Sequence, residues 1–240
     1  MSWHISTLIT KNVDSGKIEL KSYAHIFDSG QQDWYAVCLI TENILEVETK
    51  EYPQITQVNL RSDEADCYHN DARRRVGIEV ARYYFSEPQY GRAICDRILC
   101  TMKSSIRRYC NEGHDVVSAK DMRVALSERP AKGTTASVCA INEAQKTVEV
   151  HKIEGFSKYH NFKFEVEGIR AWRAYGVELG RFIPYREVIT EHQGPNDLIV
   201  HENFFYLKES MFIKIKATFL LLYRRKSPLS RFTDYRVTDR

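Results

Sequence analysis

The chain has 240 residues, 43% hydrophobic and 28% charged, with 14 Tyr, 11 Phe, 3 Trp and a net charge of +3. That is too apolar for a disordered chain, and the aromatic content is enough for a substantial core. A helical membrane span is excluded: the longest apolar run, Phe219-Leu220-Leu221-Leu222-Tyr223, is followed by two arginines, and a span takes about 20 apolar residues. The start, Met1-Ser2-Trp3-His4, has no basic stretch leading into an apolar one, so no secretory signal is expected. Cys38, Cys67, Cys95, Cys100, Cys110 and Cys139 are therefore expected as thiols in a reducing, cytoplasmic setting.

In chain order, residues 1–60 read as strands. Val13-Asp14-Ser15-Gly16-Lys17 is a turn between His4–Thr10 and Lys17–His25, a first hairpin. Trp34–Ile40 is continuously apolar and predicts a strand buried on both faces, turning at Glu42-Asn43 into a second strand, Ile44–Thr49. Gln54–Leu60 is a further short strand. A helical block follows over 71–129. Asp71 is a candidate N-cap, and Val76, Val80 and Tyr83 share a helical face that Pro88 ends. Ile94, Cys95, Ile98, Leu99, Met102 and Ile106 form the stripe of a longer helix stopped near Gly113. Ser118-Ala119-Lys120-Asp121 has the form of a capping box for a third helix, which Pro130 ends.

Strands resume over 134–223. Ala136–Asn142 and Thr147–Ile153 predict a hairpin, Phe162–Glu167 alternates, and Ile169–Tyr175 reads as a short helix. Tyr185–Thr190, Leu198–Leu207 and Met211–Tyr223 complete the set, before a polar tail over 226–240. The expected fold is α+β: a single domain over 1–240 whose antiparallel-rich sheet system, from N- and C-terminal strands, packs against a central block of two to three helices.

Charge is unevenly spread. Residues 42–71 carry eight acids and two bases, 73–108 nine bases and three acids, and 224–240 six bases and two acids. Such blocks generate local potential despite a total near zero. Arg73, Arg74, Arg75, Arg82, Arg107 and Arg108 are the candidate nucleic-acid contacts, since guanidinium groups bind phosphate through paired hydrogen bonds. Tyr83, Tyr84, Tyr90 and Tyr109 lie near enough in sequence to stack bases.

The stretch Asp33-Trp34 … Glu48-Thr49-Lys50 resembles the PD-(D/E)XK nuclease pattern. If 34–49 form a hairpin, Asp33 lies opposite Glu48. The resemblance then implies two carboxylates on Mg²⁺ and Lys50 beside the attacking water. Gln32 stands where that motif has proline. Gly133-Thr134-Thr135-Ala136 resembles a strand of the 2C-type metal-dependent phosphatases, but the Asp-Gly-His-Gly metal-binding segment is missing. Cys95, Cys100, Cys110 and His114 lack the close Cys-x₂-Cys pair of a zinc site. No Gly-x-Ser-x-Gly occurs, and the neighbours Cys67 and His69 do not by adjacency make a nucleophile and base.

The functional expectation is a non-enzymatic interaction or assembly protein, a virus-encoded or other subunit that self-associates or docks on a protein partner. It contacts RNA or DNA through a basic helical face and uses no metal or cofactor. The alternative is a Mg²⁺-dependent nuclease using Asp33, Glu48 and Lys50.

Overall fold

The computed structural model describes residues 1–11, 16–30, 34–62, 78–85, 94–142, 155, 158–188, 198–205 and 219–224, with Trp34 and 219–224 described as backbone only. The expected turn, Arg73–Arg75, the 147–153 strand and the polar tail lie largely or wholly outside these residues. Strands β1 (Ser2–Lys11) and β2 (Ile18–Phe27) form the predicted first hairpin, paired from Ser2 opposite Phe27 to Lys11 opposite Ile18. Then come α1 (Trp34–Glu51), β3 (Gln57–Ser62), β4 (Glu79–Phe85), α2 (Ile94–Asn111) and α3 (Ala119–Glu128). The remaining strands are β5 (Thr134–Ile141), β6 (Asn161–Phe164), β7 (Gly168–Trp172), β8 (Arg181–Pro184), β9 (Leu198–Glu202) and β10 (Phe219–Arg224).

The ten described strands join one mixed sheet in the order β8-β7-β6-β4-β3-β10-β1-β2-β5-β9. Pairing is antiparallel except at β10–β3, β3–β4 and β2–β5. The α+β class expected from the sequence is the one the chain adopts. β10 stands between a five-stranded side, β3 to β8, and a four-stranded side of β1, β2, β5 and β9.

Cores form on both sides of the sheet. On one, Tyr35, Leu39, Ile40, Ile44 and Leu45 of α1 meet Leu8, Tyr23, Leu60, Tyr83, Phe162 and Ile183. On the other, Leu99, Met102 and Ile106 of α2 and Met122, Ala125 and Leu126 of α3 meet Trp3, Ile5, Ala24, Ile26, Ala136 and Val138. The alternation of β1 and β2 feeds both: Trp3 and Ile5 point to α2, Leu8 to α1.

Several expectations are corrected. Trp34–Thr49 is one helix rather than two strands. It is buried almost all round at its start, so the run lacks the polar face that makes a helix legible, while Ala36, Ile40, Ile44 and Glu48 keep the four-residue spacing of one stripe. Val80 and Tyr83 lie in β4 rather than a helix. The register steps from Val58–Val80 to Asn59–Arg82, leaving Ala81 as a bulge, and a bulge turns a two-residue repeat into a three-residue one. Ile169–Trp172 belongs to β7, where Gly168 lets the backbone of β8 approach: a Cβ there would lie 2.4 Å from the Ile183 carbonyl oxygen. Tyr185–Glu187 is a 3₁₀ turn after β8, not a strand.

Candidate nucleic-acid interface

The trio Asp33, Glu48 and Lys50 does not meet across a hairpin, because a helix carries Glu48 and Lys50. Asp33 lies outside the described residues. Two residues apart on a helix point roughly 200° apart: Lys50 is exposed and Glu48 is 1% exposed. Glu48 accepts a hydrogen bond from the Tyr23 hydroxyl and one of 3.0 Å from Lys21 Nζ, which also reaches Glu51 at 2.5 Å. Burial lifts the Glu48 carboxyl to about 7, against the opposing pull of Lys21.

The same layer between sheet and α1 holds further polar groups. His4 stands opposite His25, and His25 opposite Ser137. His25 Nε2 is hydrogen-bonded to Asn43 Oδ1 of α1 at 3.0 Å, and Phe204 packs edge-on to the His25 ring at 5.1 Å. His4, His25 and Ser137 are each 1% exposed or less. The His25–Asn43 bond ties α1 to the sheet, and all three groups lie within the buried layer. Among the described residues no group of three or more His, Cys, Asp or Glu is placed to hold a metal. Cys95 is buried and donates to Thr7 Oγ1 at 3.3 Å, whereas Cys100 and Cys110 are exposed, so these cysteines do not converge.

The predicted cations fare differently. Arg107 and Arg108 are exposed on α2. Arg97, Thr101, Ser104 and Arg108 follow four-, three- and four-residue steps along its outer side. The two hydroxyls there bond back to the helix, Thr101 to the Arg97 carbonyl at 3.1 Å and Ser104 to the Cys100 carbonyl at 3.0 Å. Among the described residues Arg97, Arg107 and Arg108 form no ion pair.

Arg82 is on β4, half-buried, on the side of the sheet where α2 sits. Directly paired residues share a face, and the register Leu8–Leu221–Leu60 carries the α1 side across β10 to β3. Asn59 and Arg61 therefore point to the α2 side, as do their partners Arg82 and Tyr84. Among the described residues, none of those packed beneath α2 and α3 comes from β3, β4, β6, β7 or β8. Beside α2, this half of the sheet presents its own side chains.

Those side chains fall into two rows. One runs Asn59, Arg82, Lys163, Arg170, Phe182, each opposite the next. The other runs Arg61, Tyr84, Asn161, Trp172. Three consecutive cations thus stand opposite one another on strands about 4.8 Å apart, an arrangement that destabilises a sheet. A single carboxylate relieves it: Glu165 binds Arg170 through two bonds of 3.0 and 3.1 Å and lies 3.6 Å from Lys163. Arg170 holds Glu165 below the usual carboxylate range. Arg82 donates to the Tyr84 hydroxyl at 3.2 Å and lies 4.9 Å from the Tyr175 ring centre.

Of the cations singled out from the sequence, Arg82 lies in this row and Arg107 and Arg108 lie on α2, whereas Lys163, Arg170, Tyr175 and Phe182 carried no signal of their own in the sequence. The alternation in Asn161–Phe164 turns Lys163 outward, but only the register shows that it faces Arg82 and Arg170. Neither a family model, nor a curated protein, nor a solved structure matches this chain.

Proposed function

We propose that this protein binds rather than transforms its target, and that the target is a nucleic acid held by its phosphates on the open face beside α2. The row Arg82–Lys163–Arg170 is the observation that supports this reading. Three cations placed opposite one another cost stability, and a polyanion lying across the strands converts that cost into attraction. Arg107 and Arg108, exposed on the helix next to that face, extend the positive surface. Arg61, exposed at the end of the second row, adds a fourth cation to the sheet itself.

Fluorescence anisotropy with a labelled oligonucleotide at low and high salt tests this. Affinity should fall steeply with salt, by a slope of about 0.7 to 0.9 per phosphate neutralised. Lys163→Glu, and separately the pair Arg107→Glu and Arg108→Glu, should weaken binding roughly tenfold while leaving the fold intact, because all three side chains are exposed. Glu165→Gln should strengthen it severalfold, a gain that misfolding cannot produce. Absence of binding at low salt, or binding indifferent to salt and to these changes, would sink the reading.

A further inference from the structure

Building on that reading, we infer that the ligand is single-stranded and that its bases stack on Tyr175 and Phe182. These rings are 44% and 40% exposed. Each is backed by an arginine of the cation row: Arg82 lies 4.9 Å from the Tyr175 ring centre and Arg170 5.3 Å from that of Phe182. An aromatic ring left open to water with a guanidinium on one side offers a base a stacking surface and its phosphate a partner in the same place.

The platform is held from beneath. Trp172 is 8% exposed and packs 5.2 Å from Tyr175, while Tyr84 meets the same ring edge-on at 6.3 Å. Gly180, at φ +69°, lets the β7–β8 loop close over the indole: a Cβ there would lie 2.6 Å from Trp172 Nε1. Tyr175 therefore projects from a packed aromatic cluster, not from a bare loop.

Geometry separates single strands from duplex. The five strands β3 to β8 span roughly 19 Å at 4.8 Å per step, and a B-form major groove is about 12 Å wide and admits a helix or a two-stranded ribbon. A duplex would meet this face through phosphates alone and leave both rings unused. A single strand laid along the cation row sets its phosphates against Arg82, Lys163 and Arg170 and turns its bases toward the rings at either end. The charge suits it: on this side Arg61, Arg82, Lys163 and Arg170 are accompanied by Glu79 in β4 and by Glu165 just after β6.

The experiment compares three probes of one length: a single-stranded oligonucleotide, its duplex, and an abasic strand that keeps the phosphates. The single strand should bind at least tenfold tighter than the other two. Tyr175→Ala and Phe182→Ala should each cost the single strand about tenfold and leave the abasic strand unchanged, and Tyr175→Phe should restore binding. Phe182→Ala guards against a Tyr175 variant that merely loosens its cluster, and melting curves confirm that each variant is folded. If duplex and abasic strand bind as tightly as the single strand, and only charge changes matter, stacking is wrong while phosphate contact stands. If no probe binds, both readings fall.

Discussion

His4 and His25 face each other across β1 and β2 and are both fully buried. Burial first, then the neighbouring His25, lowers His4 from 6.5 to about 3; burial, partly offset by the Asn43 bond, lowers His25 to about 4. Both stay neutral in the folded state and take up protons once unfolded. Their stabilising contribution is thus complete above pH 6.5 and lost as pH falls toward 4. At pH 5 each costs about 2 kcal/mol. Glu48 acts in the opposite sense: its raised value favours the folded state below 4.5 and loses that advantage as pH rises through 7. Between 4.5 and 6.5 two histidines outweigh one carboxyl, so stability rises with pH and is greatest near 6.5. Denaturant titrations across this range should show that maximum. His25→Gln should flatten the acid side by about one proton, and Glu48→Gln should remove the decline above it. A pH profile unchanged by both would mean that neither group titrates as its burial demands.

Among the elements, α3 shows a cap that the sequence spelled out. Ser118 Oγ accepts from Asp121 N at 3.2 Å, and Asp121 Oδ2 accepts from Ser118 N at 2.9 Å. A long-range contact adds to it: Asp28, just after β2, accepts from Ala119 N at 2.6 Å. Ser118→Ala should cost about 1 kcal/mol by chemical denaturation, and Asp28→Ala a similar amount. The two losses should not add, because the same helix end frays in both. A loss below about 0.3 kcal/mol for both would show that water replaces these caps. The helices α2 and α3 were legible because each has one wet side. The helix α1 was not, since it is apolar around its first turns, and β4 was not, since the Ala81 bulge imitates helical spacing. Local pattern carries local structure only where one side of an element meets water and the backbone keeps a single repeat.

For the molecule as a whole, the class of fold followed from the sequence and the candidate interface did not. Arg82, Lys163 and Arg170 come from three strands, and Tyr175 from a loop that no pattern ties to them. Only the order β8-β7-β6-β4-β3 brings them side by side. That order depends least on its own neighbours where β10 enters, pairing antiparallel with β1 and parallel with β3. Removing residues 219–224 would leave β1 and β3 as unpaired edges in mid-sheet, and edges of that kind recruit other chains. The truncated protein should aggregate at concentrations where the intact chain stays dispersed, as light scattering would report; equal scattering would mean that β1 and β3 close without it.

Translation meets the same feature. A ribosome delivers β1 and β3 long before it delivers β10, so a nascent chain can complete its hairpin, its helices and the flanks of its sheet while the middle stays open. Contacts between residues so distant in sequence also form slowly. β10 is the last of the described strands to be made, and until it arrives the edges of β1 and β3 stay unpaired and open to pairing with other chains.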